Sequence, residues 1–147
     1  MGKIFSLVIS FLVIIGFSGC GDNISMVKKG TLEFDKSISI GQAFDKYKYF
    51  KKTEWKELVT DNGKKVVQVE GIVDFKLFPE DFYVIGKENI QEARIVAQFT
   101  INKDDTFNLS YYGQEMIKID GKEDAVRLND YGVKRGIKAI YENKPTW

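Results

Sequence analysis

The chain has no histidine, one cysteine and two prolines among its 147 residues. Without an imidazole, Ser-His-Asp and Cys-His catalysis, histidine-bearing zinc sites and histidine-based pH sensing are excluded within this chain. One cysteine can close neither an internal disulfide nor a CxxC site. Phosphate-binding loops of the GxGxxG or GxxxxGK[ST] kind and the Gly-x-Ser-x-Gly elbow are also missing. Nor is there an excess of one charge: 22 basic residues face 21 acidic ones, and the surplus is Lys3, near the amino terminus. A general nucleic-acid binder needs a basic excess to release counterions from phosphate, so nucleic acid is not an expected partner. The acids that stand side by side, Glu80-Asp81, Asp104-Asp105 and Glu123-Asp124, have ordinary turn, strand and helix-start explanations. Asn102, Asp104 and Asp105 miss the spacing of a calcium loop. No catalytic, cofactor-binding or metal-ligating residue is therefore assigned.

What is present is uneven. Hydrophobic residues make up 44% of the chain, and they are dense in the first nineteen residues. Lys3 precedes Ile4 to Phe17, which is apolar except for Ser6, Ser10 and Gly16, and the small residues Ser18 and Gly19 follow. A charged start, an apolar middle and a small-residue exit are the parts of a secretory signal. The apolar run is short of the roughly 20 residues that a spanning helix needs, so cleavage is expected rather than permanent insertion.

The four residues Phe17-Ser18-Gly19-Cys20 resemble the lipobox of bacterial lipoproteins, with Phe17 where the family usually carries leucine or another aliphatic residue. The resemblance covers this segment alone. It implies that residues 1–19 are a signal peptide, and that Cys20 carries a thioether-linked diacylglyceryl group and becomes the first mature residue. Its new amine is often acylated as well, palmitate being among the chains. Two or more chains anchor a protein to a membrane stably, at about 0.8 kcal/mol per buried methylene. In this family an aspartate directly after the cysteine commonly retains the protein at the inner membrane. Here Gly21 follows and Asp22 comes one later, which favours the periplasmic face of the outer membrane if the host is Gram-negative.

Residues 20–30 then read as a lipidated tether, polar and glycine-flanked, with ten residues reaching about 33 Å when extended. Residues 31–147 suffice for one domain. The expected class is α+β: an antiparallel sheet of four to five strands with an N-terminal helix and a C-terminal helical region packed on one face. The capping box Ser39-Ile40-Gly41-Gln42, followed by Ile40, Phe44 and Tyr47 at helical spacing, predicts a helix over 40–50. Glu54 to Thr60 and Val66 to Phe75 predict a hairpin about Asn62-Gly63. A two-residue loop sets Leu58 opposite Val67. A bulged turn sets Trp55 opposite Val69, and the two registers place Trp55 on opposite faces.

Residues 76–92 predict a long connection with a short extended piece at Phe82 to Ile85. Strand 94–102 alternates cleanly, with Ile95, Ala97, Phe99 and Ile101 inward. Its partner should bring Phe107, Leu109 and Tyr111 inward, and Met116 to Asp120 suggests a further short strand. From Glu123 the pattern turns helical through Val126, Asn129, Val133, Ile137 and Ile140, with Gly132 and Gly136 either breaking the helix or letting it approach the sheet.

Together these readings predict a membrane-anchored cell-envelope lipoprotein acting as a non-catalytic binding or adaptor module, joined to the membrane through lipidated Cys20 and engaging another envelope protein. Tyr49, Trp55, Phe78, Phe82 and Tyr83 are the candidate contact surface, the alternative being that these aromatics only fill or cap the core. Two other readings stay open: a carboxylate-based hydrolase of envelope glycans, which needs two facing acids in a cleft, and a small-molecule or lipid carrier, which needs a cavity.

Overall fold

The computed structural model describes residues 22–147. The segment expected to be a signal peptide and Cys20 therefore lie outside the described residues. The fold is α+β as the patterns predict: three helices cover one face of a five-stranded antiparallel sheet whose strands lie in sequence order.

The first element revises the tether. Asp22–Lys29 is a helix, α1, whose Val27 is fully buried. Its composition suits both the dipole and the core: Asp22 stands in the first turn, Lys28 and Lys29 in the last, and Ile24 and Val27 share one face. Eight helical residues span about 12 Å, so this stretch is short and docked rather than an extended spacer. The Ile40 amide then donates to the Gly30 carbonyl at 2.9 Å and ties α1 to α2, Ile40–Asp45.

The capping box at α2 is formed as its residues predict. Ser39 Oγ accepts from the Gln42 amide at 3.1 Å, and Gln42 Oε1 accepts from the Ser39 amide at 3.0 Å. The helix stops at Asp45 and does not continue to 50. Tyr47, Tyr49 and Phe50 are all buried, and a helix would point residues 47 and 49 to nearly opposite sides. The chain unwinds there, Tyr47 Oη donates to the Lys144 carbonyl at 2.8 Å, and Phe50 opens the first strand.

Strands β1, Phe50–Val59, and β2, Lys65–Val73, pair with Trp55 opposite Val69 and Leu58 opposite Val66. This is the bulged-turn register. Asp61, Asn62 and Gly63 form a three-residue loop closed by the Thr60 amide on the Lys64 carbonyl at 2.9 Å, and Gly63 takes φ +78°. Trp55 thereby joins the helix-covered face.

Between β2 and β3 the chain makes two short 3₁₀ turns, Phe75–Leu77 and Lys87–Asn89, and the extended piece expected at Phe82 to Ile85 is not formed. Strand β3, Ile90–Ile101, buries Ala93, Ile95, Ala97 and Phe99 against the helices. Strand β4, Phe107–Lys118, absorbs most of the predicted short strand at Met116. The register slips between Gln98 and Phe99, where Ser110 is the extra residue. Such a bulge reverses the alternation beyond it. Phe107 and Leu109 face inward as predicted, but Tyr112 rather than Tyr111 enters the core, with Tyr112 2% exposed. Ser110 Oγ donates to the Gln98 carbonyl at 3.2 Å and holds the bulge.

Glu123 begins a strand rather than a helix. Strand β5, Glu123–Arg127, returns along β4, and helix α3, Asp130–Tyr141, starts only after Asn129 caps it by accepting from the Gly132 amide at 2.9 Å. The line of apolar residues was misleading because Val126 lies on β5, half exposed, while Ile137 and Ile140 are buried on α3. Gly136 faces β4 closely: a Cβ there would sit 2.6 Å from Tyr112 Oη. Gly132 instead packs beside Leu128, and it does not break the helix.

Candidate binding face of the sheet

The aromatic surface predicted from sequence is mostly interior. Tyr49 is 4% exposed and stacks edge-on against Phe78 at 4.9 Å, and Phe78 meets Phe82 at 5.0 Å and Phe75 at 5.4 Å. Phe75 in turn meets Trp147 at 5.4 Å. These rings close one end of the core, with centroid spacings suited to edge-to-face contact. Trp55 lies edge-on to Phe44 at 6.1 Å, and its Nε1 donates to Asp45 at 2.7 Å, so both its apolar body and its polar tip have partners. Tyr83 alone among the five is freely exposed, at 83%, beside Ile85 at 84%, which the sequence reading did not single out.

The face of the sheet opposite the helices holds the more organised set of polar groups. Alternation and register bring Lys56, Gln68, Gln98 and Tyr111 into one row across β1 to β4, and Glu54, Glu70, Val96 and Arg127 into the neighbouring positions. Gln98 Nε2 donates to Gln68 Oε1 at 2.6 Å, and Gln68 Nε2 donates to Glu70 Oε1 at 2.5 Å. Lys56 Nζ pairs with the same Glu70 oxygen at 2.6 Å, and Arg94 Nη1 reaches the other at 3.9 Å. Arg94 also binds Glu92, Nε to Oε1 being 2.5 Å. Arg127 Nη2 donates to the Ser110 carbonyl at 3.1 Å, with its guanidinium 5.6 Å from the Tyr111 ring.

Long side chains crossing one another in this way shelter what lies beneath. Val96 is 2% exposed and Gln68 7%, although they point away from the helix layer. The shelter has an electrostatic consequence. Burial raises the Glu115 carboxyl above its ordinary value, the Glu70 charge adds to the rise, and Arg94 and Lys56 oppose it. Burial likewise raises the Tyr111 phenol, with Glu115 contributing. Glu70 and Glu115 stand on strands separated by β3 and two residues out of line, about 12 Å apart at the backbone, with Arg94 directly beside Glu115 in register.

Of the acids adjacent in sequence, Asp104 and Asp124 have local partners. Asp104 accepts from Thr106 Oγ1 at 2.6 Å within its turn, and Asp124 pairs with Lys118 at 2.6 Å. Among the described residues, no group of three or more Cys, Asp or Glu side chains is placed to hold a metal ion. No helix among them is long and apolar enough to cross a membrane.

Among the described residues, cavities open on the helix side. One, of about 460 Å³, is walled by Leu32, Phe107, Leu109, Val133 and Ile137. The other, of about 540 Å³, runs between α1 and α2 past Lys28, Gly41 and Asp45. Compared with known proteins, the chain matches no family model, no curated protein and no solved structure.

Gln68, Glu70, Arg94, Gln98 and Glu115 were not singled out from the sequence as site residues. Alternation alone puts Arg94 and Gln98 on the wet face, but their meeting with Gln68 and Glu70 depends on a cross-strand register that the sequence left open.

Proposed function

We propose that this chain is a cell-envelope lipoprotein, anchored through lipidated Cys20, whose open sheet face is a non-catalytic docking surface for another envelope protein. The supporting observation is the side on which α1 lies. It begins at Asp22, two residues after Cys20, and packs beside α2 on the helix-covered face. Two residues span at most about 7 Å, so a lipid on Cys20 holds the helix layer toward the bilayer and turns the open face outward. The polar groups on that face are already hydrogen-bonded to one another, which lowers the ordering entropy lost on binding. The periplasmic face of the outer membrane, in a Gram-negative host, is the location this reading favours.

Acyl-chain incorporation in cells tests the anchor: wild type should take up label and fractionate with membranes, and Cys20→Ala should do neither. Equal labelling of both would overturn it. A photo-crosslinker replacing Gln98 tests the surface. It should give a discrete adduct that the same probe at Lys138, on α3, does not give. Identical adduct patterns from both positions, or none from Gln98, would remove the docking surface.

The 460 Å³ cavity favours a second reading, a small-ligand carrier, since its volume falls within the range of ligand sites. Mass spectrometry of the intact protein under native conditions should then find a co-purified apolar molecule that Val133→Trp excludes. Identical spectra for the two proteins would count against it.

A further inference from the structure

The two edges of the sheet are not equivalent. The outer edge of β1 carries Lys51, Lys52 and Lys56, and a register irregularity lies between Phe50 and Lys52. Charge and irregularity of this kind discourage pairing with another strand. Strand β5 has the sequence Glu-Asp-Ala-Val-Arg, is exposed at every position, and runs against β4 without a bulge. It contains neither lysine nor proline.

The hydrogen bonds that bracket β5 define which of its backbone groups turn away from β4. The Lys118 amide donates to the Lys122 carbonyl at 2.8 Å, and the Leu128 amide donates to the Tyr112 carbonyl at 3.1 Å. In an antiparallel ladder, alternate residues turn their amide and carbonyl toward the same neighbour. Lys122, Asp124, Val126 and Leu128 therefore face β4, and Glu123, Ala125 and Arg127 turn theirs outward. Their side chains lie on the open face, in the rows of Ile117, Glu115 and Val96 respectively.

From this arrangement we propose that β5 pairs antiparallel with β5 of a second copy of this chain, about a two-fold axis at Ala125. Centred there, Ala125 faces Ala125 of the partner, and Glu123 faces Arg127 of the partner on both sides of the axis. All three outward residues then exchange main-chain hydrogen bonds, six in total, and each flanking pair joins opposite charges. Moving the axis to Glu123 or Arg127 sets a residue against its own copy, which is like against like. Moving it to Asp124 or Val126 loses both Glu–Arg pairs. Charge selects one register, and the occupant it selects is the same strand. The pairing joins two sheets of five strands into one of ten. A two-fold axis normal to the sheet also keeps both copies of α1 on the same side, which fits anchoring in one bilayer. The pairing does not depend on the lipid, and its test is separate from that of Cys20.

Residues opposed in a hydrogen-bonded antiparallel pair have Cα atoms about 5.5 Å apart, within disulfide range. The chain carrying Cys20→Ser and Ala125→Cys, so that position 125 holds the one thiol, purified in detergent and treated with a mild oxidant, is expected to run as a disulfide-linked dimer. Cys20→Ser alone, and Cys20→Ser with Val59→Cys at the other edge, are expected to give no disulfide-linked dimer. On the Ala125→Cys background, Glu123→Arg or Arg127→Glu should each lower the crosslinked fraction about tenfold, because both symmetric pairs become like-charged. The double exchange should restore it. Circular dichroism distinguishes a folded variant from a collapsed one. A folded Ala125→Cys chain that does not crosslink, or a double exchange that fails to recover, overturns the pairing.

Discussion

The two faces of this sheet both bury side chains, but by different means. On the helix side, Val67, Val69, Ile95, Ala97, Phe99 and Tyr112 lie under Val27, Phe44, Ile137 and Ile140, apolar against apolar. On the other side no helix among the described residues packs, and Val66, Gln68 and Val96 are nonetheless nearly excluded from solvent beneath Lys56, Glu70, Arg94 and Gln98. The first arrangement removes apolar surface from water at about 25 cal/mol per Å². The second contributes less, because partly exposed ion pairs and hydrogen bonds are each worth about 1 kcal/mol or below. Stability should therefore reside in the helix face, which leaves the open face free to change with little cost to folding. A surface held in order yet unimportant for stability is what a docking face requires.

Substitutions can break this contrast in graded steps. Phe99→Ala, at the centre of the helix face, should destabilise by about 3–5 kcal/mol in denaturant unfolding, through lost transfer energy and a cavity. Gly71→Ala should cost about 1–3 kcal/mol, since its Cβ would lie 2.3 Å from the buried Phe50 ring, which has little room to retreat. On the open face the effect should be smaller and depend on pH. The folded Glu115 carboxyl is raised above its ordinary value, chiefly by burial, so its contribution is most favourable below the ordinary carboxylate range and is lost as pH rises through the folded value. Glu115→Gln should accordingly melt higher than wild type near pH 7, with the gap closing as pH falls below about 4. Last, Lys56→Ala should change stability by less than about 1 kcal/mol, because the lysine side chain is half exposed and its pair with Glu70 is screened. A loss at Lys56 comparable to that at Phe99 would erase the distinction between the faces.

How far these faces could be read beforehand varied with the kind of signal. Local signals were legible. The Ser39-Gln42 capping box, strand 94–102 and the turn at Gly63 each depend on neighbours in sequence, and each formed. What failed depended on partners far along the chain. The Ser110 bulge exists because β3 meets β4 in a particular register, and no local pattern reverses Tyr111 and Tyr112. Val126 belongs by spacing to the apolar line of α3, yet pairing with Gln114 makes it a strand residue. Likewise α1 reads as polar because only Ile24, Met26 and Val27 are apolar, and its docking depends on Trp55, Asp45 and Gly41, which come later in the chain. The same limit applies to the open face: alternation identified its residues strand by strand, while their network is a product of register.

The proposed orientation of the two faces at a membrane is the claim on which the docking reading depends. The membrane-extracted mature chain, reconstituted in vesicles that carry a headgroup quencher, tests it with one fluorophore at a time, at Lys46→Cys on the helix side or Lys52→Cys on the open face. Stronger quenching at position 46 than at 52 is the expected result. Equal quenching, or stronger quenching at 52, would contradict an open face turned away from the bilayer.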